Sequence, residues 1–230
     1  ETLRQIGKEG KAALYEGDIA QAIHEDMKRN DGVLTSDDLA KFEVQVLEPA
    51  RTLYRGYEIL GSPVPCGGTT QRQILTILEN FDLSNLMHNS PEHLHLFIES
   101  ARHAFADRYR FLGDPDFGPV PLDGILSTKY ASEIAGLVDR QNATMERERT
   151  RQPWITFADT DLHNPWAHDP LQQPDKPQSS SPPSANDCTT HFSVIDKDRN
   201  MVSCTQTAVQ GFGSRVVIPG TGILLTNGMV

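Results

Sequence analysis

Cysteine is scarce in this chain of 230 residues, and so are aromatic residues, at 7%. The three cysteines, Cys66, Cys188 and Cys204, are odd in number and show no CxxC spacing, which excludes a disulfide framework and a cysteine zinc site. Apolar residues make up 37%, where about 45–50% with glycine included is usual for a globular chain. No apolar run approaches the roughly 18 residues that a membrane-spanning helix needs. Positive charge is also short: the net charge is −10 and there is no long basic run. Nucleic acid and anionic membrane are therefore poor partners for this surface. The first residues, Glu1-Thr2-Leu3-Arg4-Gln5, hold neither a Met nor a signal-peptide pattern, so the chain reads as starting inside a longer protein and its compartment is not legible.

What is present divides by composition. Residues 1 to about 150 alternate helical patterns with capped turns. Ile19, Ala22, Ile23 and Met27 recur at helical spacing, and Asn30-Asp31-Gly32 ends that helix. Thr35 with Asp38 three residues later reads as a helix cap. Tyr54 to Leu60 alternates as a strand or hairpin arm. Gly61 to Gly68 is a Pro/Gly loop opening onto a helix through Ile74, Leu75, Ile77 and Leu78. Ser90-Pro91-Glu92 is a strong helix start. That helix runs through Leu94, Phe97, Ile98, Ala101, Ala104, Phe105 and Tyr109 to a stop at Gly113-Asp114-Pro115. A shorter helical pattern covers Tyr130 to Val138. From Gln152 to Asn186 seven prolines and a Ser179-Ser180-Ser181 run remove all periodicity, and the stretch 151–188 reads as linker or extended coil.

From Cys188 the pattern is β. Thr189 to Asp196 and Asn200 to Thr207 are rich in β-branched and apolar residues and flank a polar turn. A turn centred on Asp198 puts Thr189 opposite Thr207, with Cβ atoms roughly 4.5–5.5 Å apart. Two hydroxyls that close can form a hydrogen-bonded dyad. A mid-chain Thr hydroxyl is a weak nucleophile with no base beside it. Cutting the Cys188–Thr189 bond would free an α-amine with a pKa of about 7.7–8.0, suited to accept the hydroxyl proton. The competing reading of Thr189 is an ordinary strand residue.

Other candidates carry less. Cys188 and His191, three apart on a strand, point to opposite faces and do not form a Cys–His pair. Cys66 reads as a loop residue. His93 and His95, two apart on a helix, do not share a face for a metal. Asp196-Lys197-Asp198-Arg199-Asn200 imitates the start of a calcium loop but has Met201 where Gly and Thr207 where Glu would be needed. Gly211-Phe212-Gly213 lacks the third Gly of a dinucleotide site and reads as a bend. Glu146 to Arg151 alternates charge as a solvated helix end. Neither cofactor nor metal is expected.

Thr189-Thr190-His191-Phe192-Ser193-Val194-Ile195-Asp196-Lys197-Asp198 resembles the start of the small subunit in the γ-glutamyltranspeptidase family. Gly222-Ile223-Leu224-Leu225-Thr226-Asn227 continues the likeness. Upstream, so do Ile6-Gly7-Lys8-Glu9-Gly10, Tyr54-Arg55-Gly56-Tyr57, Ile77 through Asp82, Ala106-Asp107-Arg108 and Leu112 through Phe117. The resemblance implies an α+β, N-terminal-nucleophile hydrolase fold, a four-layer αββα sandwich present here as an incomplete fragment. It implies a division into 1–150 as the C-terminal part of a large subunit, 151–188 as a linker ending at the processing site, and 189–230 as the first strands of a small subunit. Both subunits would come from one precursor. It implies Thr189 as nucleophile, Thr207 as the hydroxyl that orients it, and Cys188–Thr189 as the bond cut in self-processing. The substrate would be a small-molecule γ-glutamyl or related acyl amide.

This chain departs from that pattern. Val209 stands where glutamyl-specific members carry an Asn, and Gly228 where they carry a Gln. A zwitterionic glutamyl head buried without polar partners loses several kcal/mol, so the departures favour an acylase-like relative. The family's oxyanion donors lie downstream of Val230, which leaves the 230 residues alone expected to be inert. The alternative is a non-catalytic relative or binding module that keeps the fold.

Overall fold

A computed structural model describes residues 1–143, 154–158, 160–169 and 187–227. It divides into two compact units, one of Glu1–Val46 with Pro183–Val230 and one of Leu47–Pro182. Helices and strands are segregated along the chain, an α+β arrangement, and among the described residues the strands form two separate two-stranded sheets.

The first unit opens with α1 (Thr2–Glu9), α2 (Lys11–Tyr15), α3 (Asp18–Arg29) and α4 (Ser36–Ala40). The start of α4 is the expected one. Thr35 Oγ1 accepts from the Asp38 amide and the Asp38 carboxylate accepts from the Thr35 amide, a reciprocal capping box. The Thr35 hydroxyl also donates to the Asp38 carboxylate at 2.5 Å, and this bond first, then that of the Thr35 amide, holds the exposed Asp38 carboxyl below the usual carboxylate range. The apolar stripe of α3 buries Ile19 and Ile23 against Ala13 and against Ile218 from the far end of the chain, with Ile223 and Leu225 packed at the margin. The Thr2 hydroxyl donates to the Thr221 carbonyl at 2.7 Å, tying the two ends of this unit together.

The second unit begins with a hairpin of β1 (Ala50–Tyr54) and β2 (Tyr57–Gly61), turned at Arg55 and Gly56, which both take left-handed φ. Then come α5 (Gly68–Leu78), α6 (Pro91–Phe111), α7 (Leu122–Ile125) and α8 (Thr128–Leu137). Ser90 caps α6 as expected, its hydroxyl accepting from the His93 amide with Pro91 in the first turn. The core is where α5, α6 and α8 meet: Ile77, Leu78, Leu96, Tyr130, Ala131 and Ile134, all buried. Burying side chains of this size contributes roughly 1.5–3 kcal/mol each, before the entropy of ordering them is counted.

The coil expected from Gln152 onward is not what residues 154–158 and 160–169 form. Ile155–Ala158 is a helical turn, here α9, and Pro165–His168 is a 3₁₀ turn. His163 and Trp166 are buried, and Trp166 meets Phe111 edge-on at 6.2 Å beside Ile125. Proline spacing removed the periodic signal, but proline suits the first turn of a helix, and Pro165 occupies that position. Backbone approach is close: a Cβ on Gly124 would lie 1.9 Å from the Pro165 carbonyl oxygen. The Ser/Pro run 170–186 and the charged segment 146–151 lie outside the described residues.

Candidate active site

β3 (Asp187–Ile195) and β4 (Met201–Gln210) form the expected antiparallel hairpin, with Thr189 opposite Thr207. The turn is built by Asp196. Its carboxylate accepts from the Asp198 amide (2.8 Å), the Asn200 amide (2.9 Å) and the Asn200 side chain (2.8 Å). The calcium-like acid thus spends its oxygens on the turn, and these bonds, the Asn200 side chain's first, hold its carboxyl below the usual range. Arg199 supplies the left-handed residue, at φ 66°.

The turn sets register, and register sets the faces. Thr189, His191 and Ser193 lie on one face, paired with Thr207, Thr205 and Ser203. The other face pairs Phe192 with Cys204 and Val194 with Val202. The Thr189 hydroxyl donates to Thr207 Oγ1 at 3.1 Å, so the two hydroxyls form the dyad that the spacing predicts. His191, two residues along, is committed elsewhere. Its Nδ1 lies 2.7 Å from Thr205 Oγ1, and its Nε2 lies 3.2 Å and 3.1 Å from the Ser193 and Ser203 hydroxyls.

One feature of the hairpin left no mark in the residue pattern. Cys188 pairs with Val209 while Thr189 pairs with Thr207, so Ala208 is an extra residue facing the Cys188–Thr189 peptide. This is a β-bulge, which bends the strand and locally disrupts the ladder. Val209 adopts φ 72°, unusual for a β-branched residue. Its amide donates to Thr207 Oγ1 at 2.8 Å. The Cys188 side chain and Gly228 lie outside the described residues. Cys66 is exposed in its loop, as its Pro/Gly setting suggests. His93 accepts from the Asn89 amide and His95 contacts the Asp139 carbonyl, so the two rings have separate partners.

A second polar constellation, in the other unit, escaped the sequence reading. Asp107 on α6 is fully buried, and its carboxylate accepts from three side chains. Tyr130 of α8 donates its hydroxyl to both oxygens at 2.9 Å, Gln73 of α5 donates its amide, and His163 Nδ1 lies at 2.7 Å. His163 Nε2 in turn meets His103 Nδ1 at 2.8 Å, the two rings stacking at 5.0 Å. His103 and Asp107 are four residues apart, one turn of the same helix face. The missing signal was His163, which sits in the stretch read as linker. Burial first, and then the Asp107 charge, push the Tyr130 phenol far above its usual range. Burial first, then the neighbouring His163 and Arg102, push His103 down to about 3. This group of side chains joins three helices to residues 160–169.

The sign of the His103 shift gives a stability prediction. Burial holds His103 at about 3 in the folded protein against the ordinary histidine value of 6.5, so between those limits the unfolded chain binds the extra proton. The stability that neutral His103 supports is complete above pH 6.5 and is lost as pH falls toward 3, at up to about 1.4 kcal/mol per pH unit. Urea unfolding of the full-length protein at pH 7 and pH 5 measures the slope. His103→Gln should reduce it by about 0.7 proton averaged over that interval, and an unchanged slope refutes the assignment.

All of residues 1–230 match the family model described as Gamma-glutamyltranspeptidase. The chain is 34% identical over 229 residues to the Glutathione hydrolase proenzyme of Escherichia coli (strain K12), covering 99% of this chain and 35% of that protein. It is also 34% identical over 229 residues to the Acylase ACY 1 proenzyme of Pseudomonas sp. (strain SE83), covering 99% and 36%. Among solved structures it is similar to Helicobacter pylori gamma-Glutamyltranspeptidase, with a TM-score of 0.57 and 38% identity over 62% of this chain and 41% of that one. It is similar to cephalosporin acylase from Bacillus halodurans with a TM-score of 0.73 and 26% identity over 98% and 35%. The chain thus spans about a third of the length of the curated relatives it matches.

Proposed function

The chain belongs to the gamma-glutamyltranspeptidase family, and from that premise we propose that it is the self-processing core of an N-terminal-threonine amidohydrolase or acyltransferase. The observation that carries this reading is the 3.1 Å hydrogen bond between Thr189 and Thr207 beside a bulged peptide. In self-processing, Thr189 Oγ attacks the Cys188 carbonyl carbon while Thr207 orients the attacking oxygen. The C–N bond breaks, the nitrogen leaves with a proton, and Cys188 is carried as an ester on Thr189. Water hydrolyses that ester, releasing the Cys188 carboxylate and restoring the hydroxyl. Thr189 is then a chain start. Its α-amine, with a pKa of about 7.7–8.0, takes the hydroxyl proton as Oγ attacks a substrate amide, and the same cycle runs through an acyl-enzyme. The engagement of both His191 nitrogens by hydroxyls supports the amine, rather than this imidazole, as base.

On this reading residues 1–150 end a large subunit, 151–188 carry the connection to the cut, and 189–230 begin a small subunit. Within that connection His163, Trp166 and Asp169 are buried. Phe192, Val194 and Val202 leave one hairpin face apolar and exposed, which suits a strand pair that packs into an αββα sandwich. Val209 supports an acylase-like specificity over a glutamyl one. Its amide is engaged by Thr207, and its side chain has no donor for an α-carboxylate.

N-terminal sequencing and mass spectrometry of the purified full-length protein test the proposal. Two chains are expected, one ending at Cys188 and one starting at Thr189. An acyl anilide should be turned over with a higher kcat/KM than a γ-glutamyl anilide. A folded, active protein in one piece would overturn the mechanism.

A further inference from the structure

The dyad rests on more than two threonines. Thr207 Oγ1 has two acceptor lone pairs, and both have partners: the Thr189 hydroxyl at 3.1 Å and the Val209 amide at 2.8 Å. The second bond exists because the bulge at Ala208 and the left-handed Val209 turn that amide back onto Thr207. The bulge is held in turn by the segment after the Gly211–Ser214 turn. Thr226 Oγ1 and the Asn227 amide both donate to the Ala208 carbonyl, at 3.2 Å and 3.4 Å. Asn227 Oδ1 accepts from the Gln210 amide at 3.0 Å. Asn227 therefore grips β4 on both sides of Val209, at Ala208 with its backbone and at Gln210 with its side chain.

We propose that Asn227 is a positioning residue for the Thr189 nucleophile, acting through the Ala208 bulge and the Val209 amide on the Thr207 hydroxyl. The inference rests on the self-processing reading above. β-Branched residues avoid φ near +70°, so Val209 relaxes out of that conformation unless its neighbours are fixed. Without the Asn227 side chain, the Gln210 amide loses its acceptor and the bulge loses one of the three hydrogen bonds that hold it. The Val209 amide then no longer aims at Thr207, and the hydroxyl that faces Thr189 loses one of the bonds that set its direction. Attack on the Cys188 carbonyl is sensitive to such shifts, since a misplacement of about 1 Å lowers rates by about 10²-fold.

The test follows self-cleavage of the full-length protein by gel and mass spectrometry, with circular dichroism and the thermal midpoint recorded for every variant. Asn227→Ala should slow cleavage by about 10–100-fold with the fold retained. Asn227→Asp, which keeps an oxygen facing Gln210, should recover most of that loss. In a Thr207→Ala background, Asn227→Ala should add little further slowing, because the two act on one hydroxyl. Full additivity of the two substitutions, or equal slowing by Asn227→Ala and Asn227→Asp, would overturn the assignment. So would cleavage of Asn227→Ala at the wild-type rate. Should Asn227→Ala fail to fold, Val209→Gly and Val209→Pro decide instead. Gly keeps the amide and tolerates the conformation, Pro does neither, and equal cleavage by the two refutes the role of the amide. A wild-type protein that never splits would remove the underlying reading and the inference with it. A wild type that splits while Thr189→Ala does not, alongside additive Asn227 effects, removes the inference alone.

Discussion

Full-length protein carrying Thr189→Ala is expected to remain a single polypeptide and to turn over no amide substrate. The hydroxyl is the attacking atom in both reactions, and alanine has none to offer. Removing the nucleophile from enzymes of comparable chemistry lowers kcat by about 10⁴–10⁶-fold. Stability should barely move: Thr189 is exposed on the hairpin, and surface substitutions of this kind stay within about 0.5 kcal/mol. That separation makes the experiment sharp, since loss of processing with an unchanged unfolding midpoint places the defect in chemistry. Thr189→Ser keeps a hydroxyl and should still split, more slowly. A Thr189→Ala protein that divides at the same bond would end the proposal.

Asp107→Ala should have the largest effect on stability. The buried carboxylate accepts from Tyr130, Gln73 and His163, and alanine leaves all three donors in a dry interior. Breaking one partner out of a buried charged group costs about 3–5 kcal/mol. For a structure of this size that corresponds to a fall in midpoint of roughly 10 °C. Hydrogen exchange should locate the loss, with amides in 160–169 and around Tyr130 losing protection ahead of those in α3. Asp107→Asn keeps one acceptor oxygen and should lose less. A wild-type midpoint for Asp107→Ala would show that the group of side chains contributes nothing.

Much of the hairpin was readable in advance. The polar turn at Asp196–Asn200, flanked by β-branched residues, fixed a register, and a register with period two leaves little freedom: Thr189 must face Thr207 once the turn is placed. The caps at Thr35 and Ser90 were readable for the same local reason, since a cap is set by residues three apart. The reading of 151–188 as coil went astray at His163 and Trp166. Their burial depends on Asp107, Phe111 and Ile125, residues about forty or more positions away, and proline spacing hid the short helical turns between them.

Local pattern, then, determined the hairpin, the capped helix starts at Thr35 and Ser90, the pairing of the two hydroxyls and the family to which the chain belongs. Tertiary structure alone decided that an extra residue stands opposite the Cys188–Thr189 bond, that Val209 turns its amide onto Thr207, and that Asn227 clamps the strand there. A bulge adds one residue without altering the alternation of residue types enough to be seen. The bonds that hold it come from a segment folded back across a turn. Likewise, a buried carboxylate looks like any other acid in a helix until its donors arrive from three other parts of the chain.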